Sequence, residues 1–391
     1  MSITQAFGYG ISMGTGALIS LNLGEKKDEE AVKYASSGLF ISFFLGLAVG
    51  VLGLITLSPL MKILGATQTM MPYCTAYAKY IFIGAPIMCS SFVLNGILRS
   101  EGEATLSMIG LCSGGILNMI LDPILIFVLK MGIAGAAVAT VLSQLFSFIL
   151  LLIPFLNGRS IVKLKPAAVS KKPKTYLLII STGLPTVFRQ SLGSVSSALL
   201  TRTAGPYGDA AIAAVTVANK IYMLVRNLVI GLGQGFIPVA GYNFGAGNKK
   251  RTKKAFLCAV YMGSALCIVC TVITFFFPGQ LISLFRDDAT VVEAGSKMLR
   301  FFCISMPVLA YSTFVNQLYQ SLGFKAKATF LASCRQGIFF IPLIFLLSHF
   351  FGLSGVEATQ AMSDFMTFLV SIPFQIMFFR KQLKEVTPIE N

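Results

Sequence analysis

Three carboxylic acids lie within long apolar stretches of the sequence, where a carboxylate is costly unless it faces a cavity, a cation or a basic partner. They are Asp122, Glu357 and Asp364, and the other acids fall in loops, at predicted helix ends or in the tails. An aspartate or glutamate in such surroundings loses this penalty when it takes up a proton or a cation. Each of the three is therefore a candidate for reversible binding of H⁺ or Na⁺.

Asp122 leads these candidates because it has a polar neighbour at helical spacing. Asn118 precedes it by four residues, which puts both side chains on one face of a helix. Pro123 follows and frees a backbone carbonyl near that face. The alternative interpretation is structural, with Asp122 only tying helices together through Asn118. For Glu357, close to the predicted outer end of its helix, the alternative is a side chain that extends to the membrane interface.

Four basic residues also occur at apparent membrane depth, namely Arg189, Lys220, Arg226 and Arg335. We expect them to pair with acids, bind helix carbonyls or reach an interface. Arg226 with Asp364 is one conceivable pair, although the sequence alone leaves the pairing open. Arg335 lies about two turns from the predicted cytoplasmic end of its helix, so we expect its side chain to extend to the interface.

The sequence argues against an enzyme. It has one histidine, His349, no HExxH, GxSxG or Walker A motif, and eight cysteines that lie in apolar runs without partnering histidines. The glycine patterns around Gly14 and Gly235 follow no predicted strand, so a nucleotide site is not expected there. We expect neither a metal nor an organic cofactor.

Composition places the chain in a membrane. Of its 391 residues 55% are hydrophobic and 12% are charged, whereas a soluble protein has about 25% charged residues. Apolar runs near the length that crosses a bilayer predict an all-α polytopic protein with about ten or eleven transmembrane helices. The predicted segments are 1–22, 33–58, 72–98, 104–129, 132–155, 175–200, 208–240, 254–277, 296–321, 328–350 and 353–379.

The net charge of +16 is mainly a topology signal. Basic residues concentrate in alternate loops, above all in 156–174, and the positive-inside rule makes these loops cytoplasmic. The C-terminus then also lies in the cytoplasm, and nucleic-acid binding is not expected. The polar stretch 156–174 is predicted to be a cytoplasmic linker between two lobes.

An internal repeat supports the two lobes. A shift of 221 residues places Gly10 on Gly231, Asn95 on Asn316 and Gly102 on Gly323, and a shift of 220 places Gly132 on Gly352. We predict two homologous lobes of six-helix type, 1–155 and 175–391, that enter the membrane in the same sense. In this register the first lobe lacks its first helix and most of its second. We expect either that the functional protein begins upstream or that this is a shortened copy.

The motifs resemble those of the bacterial multidrug and toxic compound extrusion (MATE) family. They are the glycine-rich pattern 231–247, the runs 118–126 and 132–140, and Ser333 to Gly337 leading to Pro342. The resemblance covers essentially the whole chain. It implies a monomeric exporter of cationic or amphiphilic organic compounds that is coupled to H⁺ or Na⁺ and opens alternately to each side of a bacterial cytoplasmic membrane.

The resemblance also assigns site residues. In the family the Asn and Asp that match Asn118 and Asp122 form a polar network with a threonine on the next helix, and Thr140 fills that position. Asp364 matches an acid of the last helix, for which a packing or hydrogen-bonding role is the alternative. Polar candidates for the substrate cavity are Tyr77, Gln190, Asn219, Asn316 and Gln317.

Two alternatives stay open at this stage. A flippase for lipid-linked saccharides of the wider superfamily would use basic residues to bind pyrophosphate, and Arg189, Lys220 and Arg226 keep that possibility. A shortened, transport-inactive copy is the other alternative. Efflux measurements separate both from the exporter.

Overall fold

The computed structural model describes residues 2–63, 68–286 and 288–382, and every regular element in this part of the chain is a helix. Thirteen α-helices follow one another, and π-helical turns at Ile124–Val128 and Cys334–Ile338 extend α5 and α12. The helices are α1 Ser2–Gly24, α2 Asp28–Ile55, α3 Leu57–Ile63, α4 Met71–Ser100, α5 Ala104–Pro123, α6 Gly132–Leu156, α7 Pro173–Ala204, α8 Asp209–Gly245, α9 Lys249–Phe276, α10 Pro278–Ser283, α11 Ala289–Ser321, α12 Lys325–Ser333 and α13 Phe340–Gln382.

The predicted all-α membrane architecture is confirmed. Ten of the eleven predicted segments each lie largely on one long helix. The segment 328–350 is divided between α12, the π-helical turn Cys334–Ile338 and the start of α13, and α13 changes direction at Gly352 (φ 58°) before it continues through the last segment. In the described chain, eight helical stretches are long and apolar enough to cross a membrane, and one of them, Lys325–Lys381, spans both of those segments. The helices α1 and α7 are not among these eight.

The chain forms two compact units, Met1–Val187 and Phe188–Asn391, which divide within α7. The lobe boundaries 155 and 175 stay a prediction, since they concern the duplicated sequence unit rather than compactness. The last residues of the predicted cytoplasmic tail, 383–391, lie outside the described part of the chain.

The first unit is built around α4, which is buried over most of its length. Small residues let its neighbours approach its backbone closely. A Cβ on Gly50 of α2 would lie 2.5 Å from the Phe82 carbonyl oxygen, and a Cβ on Gly96 would lie 2.3 Å from Ser12 Oγ of α1. Ser12 Oγ in turn donates a 2.6 Å hydrogen bond to the Phe92 carbonyl. These contacts fix α1 and α2 against α4.

The predicted linker packs onto the first unit. Ser160 Oγ and the Ile161 backbone N–H each donate to the Glu101 carboxylate at 2.8 Å, and the Ser170 N–H donates to Ser37 Oγ at 2.9 Å. Val162 is almost fully buried in the core. Burial raises the pKa of the Glu101 carboxyl above its ordinary value, against the opposing effect of the hydrogen bonds from Ser160 and Ile161.

The second unit repeats this plan around α11. Buried aromatic rings of α8, α9, α11 and α13 form its core and meet mostly edge to face, as aromatic pairs prefer. They are Phe236, Phe256, Phe314, Tyr319 and Phe378.

Backbone and side-chain details recur at the repeat distance. Asn95 Nδ2 donates to the Ser107 carbonyl at 2.8 Å, and Asn316 Nδ2 donates to the Ala328 carbonyl at 2.6 Å, so both partners shift by the same 221 residues. Gly132 and Gly352 both have a left-handed backbone, with φ of 56° and 58°, a conformation that glycine adopts without steric cost. These matching hydrogen bonds and backbone conformations are the structural counterpart of the repeat in the sequence.

Candidate functional site

Asn118 and Asp122 lie one helical turn apart on α5, as their spacing predicts. Asn118 Nδ2 donates to Asp122 Oδ1 at 3.4 Å, and both residues are half-buried. Directly after Pro123 the helix continues as a π-helical turn, in which the Leu129 N–H donates to the Ile124 carbonyl at 2.9 Å. Such turns are frequent at functional sites. The pair is therefore held next to an irregular part of the helix.

Thr140 lies on the neighbouring helix α6 and is half-buried. Its hydroxyl donates to the Ala136 carbonyl of its own helix at 2.9 Å. Within the described residues, a hydrogen bond therefore joins Asn118 and Asp122, two of the three predicted coupling residues. The hydroxyl of Thr140, the third, bonds to its own helix instead.

Asp364 of α13 is the centre of a buried polar network in the second unit. Its side chain is 1% exposed, and its Oδ1 accepts from Arg335 Nε at 2.6 Å and from Gln360 Nε2 at 2.9 Å. Its Oδ2 accepts from the Tyr222 hydroxyl and, at 3.4 Å, from Ser305 Oγ. Both oxygens are thus occupied by donors, which is what a buried carboxylate requires.

Arg335 reaches this network from the π-helical turn Cys334–Ile338. Its side chain is 11% exposed, and besides Asp364 it donates to the Tyr222 hydroxyl. The Phe339 N–H donates to the Cys334 carbonyl at 2.9 Å, one residue further along than in an α-helix, and Pro342 lies just beyond. The wider π-helical turn gives the Arg335 side chain a direction that it would not have in a regular α-helix.

Three sequence interpretations are wrong for these charges. Arg335 does not extend to the membrane interface, because it is buried in an ion pair. The partner of Asp364 is Arg335 rather than Arg226. Glu357 also does not extend outward: it is 2% exposed, and its carboxylate lies 3.9 Å from the ammonium group of Lys297. Helix packing thus places Arg335 and Asp364 together as a buried pair, and it places buried Glu357 next to the exposed Lys297.

A small cavity of about 30 Å³ brings together three arginines of the second unit, Arg189, Arg226 and Arg335. Arg189 donates to Asn316 Oδ1 at 3.4 Å. Arg226 is 8% exposed, and its Nε has no hydrogen-bond partner among the described residues. The other residues that line the cavity are Ile230, Ser312, Thr313, Asn316, Leu331, Ala332, Gln336 and Thr367.

Three of the predicted cavity residues line a cavity within their own unit. Tyr77, in the first unit, lines an apolar cavity of about 390 Å³ together with Met61, Met70, Tyr73 and Phe82. In the second unit Asn316 lines the arginine cavity, and Asn219 lines a different small cavity, where it donates to Ser197 Oγ at 3.1 Å.

The two predicted glutamines of the second unit differ in burial. Gln317 is 1% exposed and packs against Gly233, where an added Cβ would lie 1.6 Å from Gln317 Oε1. The amide atoms of Gln317 have no hydrogen-bond partner among the described residues. Gln190 is half-buried on α7, and its backbone carbonyl accepts from Ser194 Oγ at 3.2 Å.

Sequence reasoning missed Tyr222, Ser305 and Gln360 as partners of Asp364. Gln360 carried a usable signal, because it precedes Asp364 by four residues in the same way that Asn118 precedes Asp122. Tyr222 and Ser305 lie on α8 and α11, far from Asp364 in sequence, so no spacing rule connects them with it.

The described residues contain no group of three or more histidine, cysteine, aspartate or glutamate side chains that could hold a metal ion. The eight cysteines are all free thiols. The amide, carboxylate and guanidinium groups of the site are suited to reversible binding of ions and ligands.

The MatE family profile matches residues 1–124 and 185–346, which is well over half of the chain. The chain belongs to the MatE family. This confirms the family predicted from the motifs, and with it the prediction of a transporter rather than an enzyme. As a MatE-family protein with several apolar helices, it is a multi-pass protein of the cytoplasmic membrane.

Known relatives agree with this assignment. The multidrug export protein MepA of Staphylococcus saprophyticus is 29% identical over 356 residues, which cover 91% of this chain and 78% of the relative. A crystal structure of MATE in complex with MaL6 superposes with a TM-score of 0.91 at 25% identity and covers 97% of this chain and 86% of that one. An outward-facing multidrug resistance MATE transporter, 24% identical, shares the fold with a TM-score of 0.92 over 98% of this chain and 86% of that one.

Proposed function

We propose that this protein exports cationic or amphiphilic organic compounds across the cytoplasmic membrane and that entry of H⁺ or Na⁺ drives the export. Its membership of the MatE family and its similarity to a multidrug export protein support the first part. The hydrogen-bonded pair of Asn118 and Asp122 on a membrane-spanning helix carries the second part.

The physical argument starts from the position of Asp122. The span Ala104–Val128 is apolar, and Asp122 is its one acidic residue. Its hydrogen-bond partner, Asn118, is a neutral amide, and no basic group lies in hydrogen-bond contact with the Asp122 carboxyl in the described structure. A proton would neutralise it directly, and Na⁺ would find carboxylate and amide oxygens, the ligands that hard cations prefer.

Transport requires that ion and substrate binding are coupled, so that each changes the affinity for the other. In the proposed cycle Asp122 takes up the ion from the outer side and releases it to the cytoplasm, while the organic compound moves outward. The apolar cavity around Tyr77 contributes aromatic and thioether groups of the kind that accommodate varied apolar cations.

Efflux of ethidium from cells that express the chain tests the proposal. We expect energised cells to lose ethidium faster than vector controls, an ionophore that collapses the H⁺ or Na⁺ gradient to abolish the difference, and Asp122→Asn to do the same. Asp209→Asn is the matched control, because Asp209 is an exposed acid at the start of α8.

Two results would contradict the proposal in different ways. Ionophore-sensitive efflux that persists undiminished in Asp122→Asn would remove Asp122 as the coupling residue and leave the exporter function intact. No efflux from a well-expressed, folded protein would favour the transport-inactive alternative. The flippase alternative gains no support, since Lys220 is exposed and does not line the arginine cavity, and a cavity of about 30 Å³ is far too small for a pyrophosphate-linked sugar.

A further inference from the structure

The second unit buries more positive than negative charge around one cavity. Arg189, Arg226 and Arg335 line it, and none of the described residues that line it is acidic. Asp364, which contacts the cluster from outside the lining, already accepts hydrogen bonds from Arg335, Gln360, Tyr222 and Ser305. The Asp364 carboxylate is therefore the counter-ion of Arg335. The guanidinium group of Arg226 has no carboxylate of its own to balance its charge.

Arg226 is the residue that points to a ligand. It is more than nine-tenths buried, and its Nε–H has no hydrogen-bond partner in the described chain. The other buried acid of this unit, Glu357, lies 3.9 Å from Lys297, so it is already paired with a different cation. A buried charge without a counter-ion and with an unsatisfied N–H is costly, so such a group is retained where something neutralises it.

We propose that the arginine cavity, lined by Arg189, Arg226 and Arg335, binds one small monovalent anion. Guanidinium groups present parallel N–H donors that suit anions, and a site between several of them holds an anion by charge and by hydrogen bonds together. Asn316 adds a polar wall, because its Oδ1 accepts from Arg189 and thereby orients that guanidinium towards the cavity rim.

The volume limits the occupant. A cavity of about 30 Å³ exceeds the roughly 10–15 Å³ that one water needs, and it is too small for a phosphate ester or a whole organic acid. It fits a chloride ion, or the carboxylate group of a small acid whose remainder lies outside the cavity. This inference concerns binding within the second unit and is independent of the transport function proposed above.

Thermal unfolding of the purified protein in detergent tests the proposal. A thiol-reactive fluorescent maleimide reports unfolding, because four cysteines are buried in the folded chain, namely Cys89, Cys267, Cys303 and Cys334. The protein is compared at equal concentrations of sodium chloride, sodium acetate and sodium isethionate, whose bulky sulfonate does not fit. We expect chloride to raise the melting temperature by about 2–6 °C over isethionate, from the linkage between ligand binding and stability.

The three salts also identify the source of the anion. A rise in chloride alone indicates a halide site, and a rise in acetate indicates a site for the carboxylate group of an organic acid. Equal melting temperatures in all three salts would overturn the proposal.

Arginine variants separate site binding from general salt effects. We expect Arg226→Gln to lose the anion-dependent rise, and Arg202→Gln, an exposed position at the end of α7, to keep it. An unchanged rise in Arg226→Gln would overturn the proposal. If Arg226→Gln does not fold, crystals of the unmodified protein grown in sodium bromide test the site instead. Anomalous density for bromide in the arginine cavity would support the proposal, and its absence at saturating bromide would refute it.

Discussion

Replacement of Asp364 by asparagine tests the buried ion pair with Arg335 most directly. The carboxylate is 1% exposed and the guanidinium 11% exposed, so solvent screens little of their interaction. Asparagine keeps the shape of the side chain and one acceptor oxygen, so the change mainly removes the negative charge. We expect the free energy of unfolding to fall by about 3–5 kcal/mol, the cost of leaving one member of a buried pair without its partner.

The assay is equilibrium unfolding in mixed micelles of dodecylmaltoside and SDS, followed by the reactivity of the buried cysteines. Arg335→Gln alone removes the other charge, and we expect the double variant to lose at least about 2 kcal/mol less than the sum of the two single losses. Glu293→Gln, an exposed acid of α11, serves as control and is expected to stay within about 0.5 kcal/mol. A loss below about 1 kcal/mol for Asp364→Asn, or strictly additive single effects, would refute the argument.

Three further predictions concern the first unit. Gly183→Ala should lower the free energy of unfolding by about 1–3 kcal/mol, because the added Cβ would lie 2.1 Å from the Gly10 carbonyl oxygen. Gly115→Ala is the control and should not lower the melting temperature, because a Cβ at this position would have no atom within 4 Å. Asn118→Ala should slow ethidium efflux about tenfold, as expected when the hydrogen bond to the Asp122 carboxylate is lost. Thr140→Ala should leave the efflux rate nearly unchanged, because the Thr140 hydroxyl donates to a carbonyl of its own helix. Equal effects of the two substitutions on the rate would contradict this. Because the pKa of Glu101 is raised, the folded protein binds more protons there than the unfolded chain, and its contribution to stability falls as pH rises through the raised pKa. The stability of Glu101→Gln relative to the unmodified protein should therefore increase between pH 4 and pH 7, and a constant or decreasing difference in melting temperature would contradict the reasoning.

The helices were predictable because a bilayer leaves few choices. An apolar run of about twenty residues can satisfy its backbone in lipid only as a helix or in a closed barrel, and the long runs excluded barrel strands. The errors lie at the ends: α2 begins at Asp28 rather than 33, where Asp28, Glu29 and Glu30 form a polar first turn. Such acids stabilise a helix N-terminus through its dipole but lower the hydropathy on which the prediction rests.

Short elements escaped prediction for a related reason. The helices α3, Leu57–Ile63, and α10, Pro278–Ser283, follow long spans directly. They are too short to cross a membrane, so a search for apolar runs of membrane-spanning length passes over them. The predicted segments 33–58 and 254–277 end where these short helices begin.

The sequence by itself determined the local features of this protein. Asn118 and Asp122 share a helix face because residues four apart lie on the same side of an α-helix. Gly132 and Gly352 occupy matching positions of the repeat, and both have the left-handed backbone that glycine adopts most easily. The tertiary structure decided which charges meet. Arg335 and Asp364 are separated by 29 residues, and the rotation of their helices is set by packing and by the π-helical turn before Pro342. No spacing rule reaches across separate helices, so the sequence showed four basic residues at apparent membrane depth, and only the packed fold determined their surroundings.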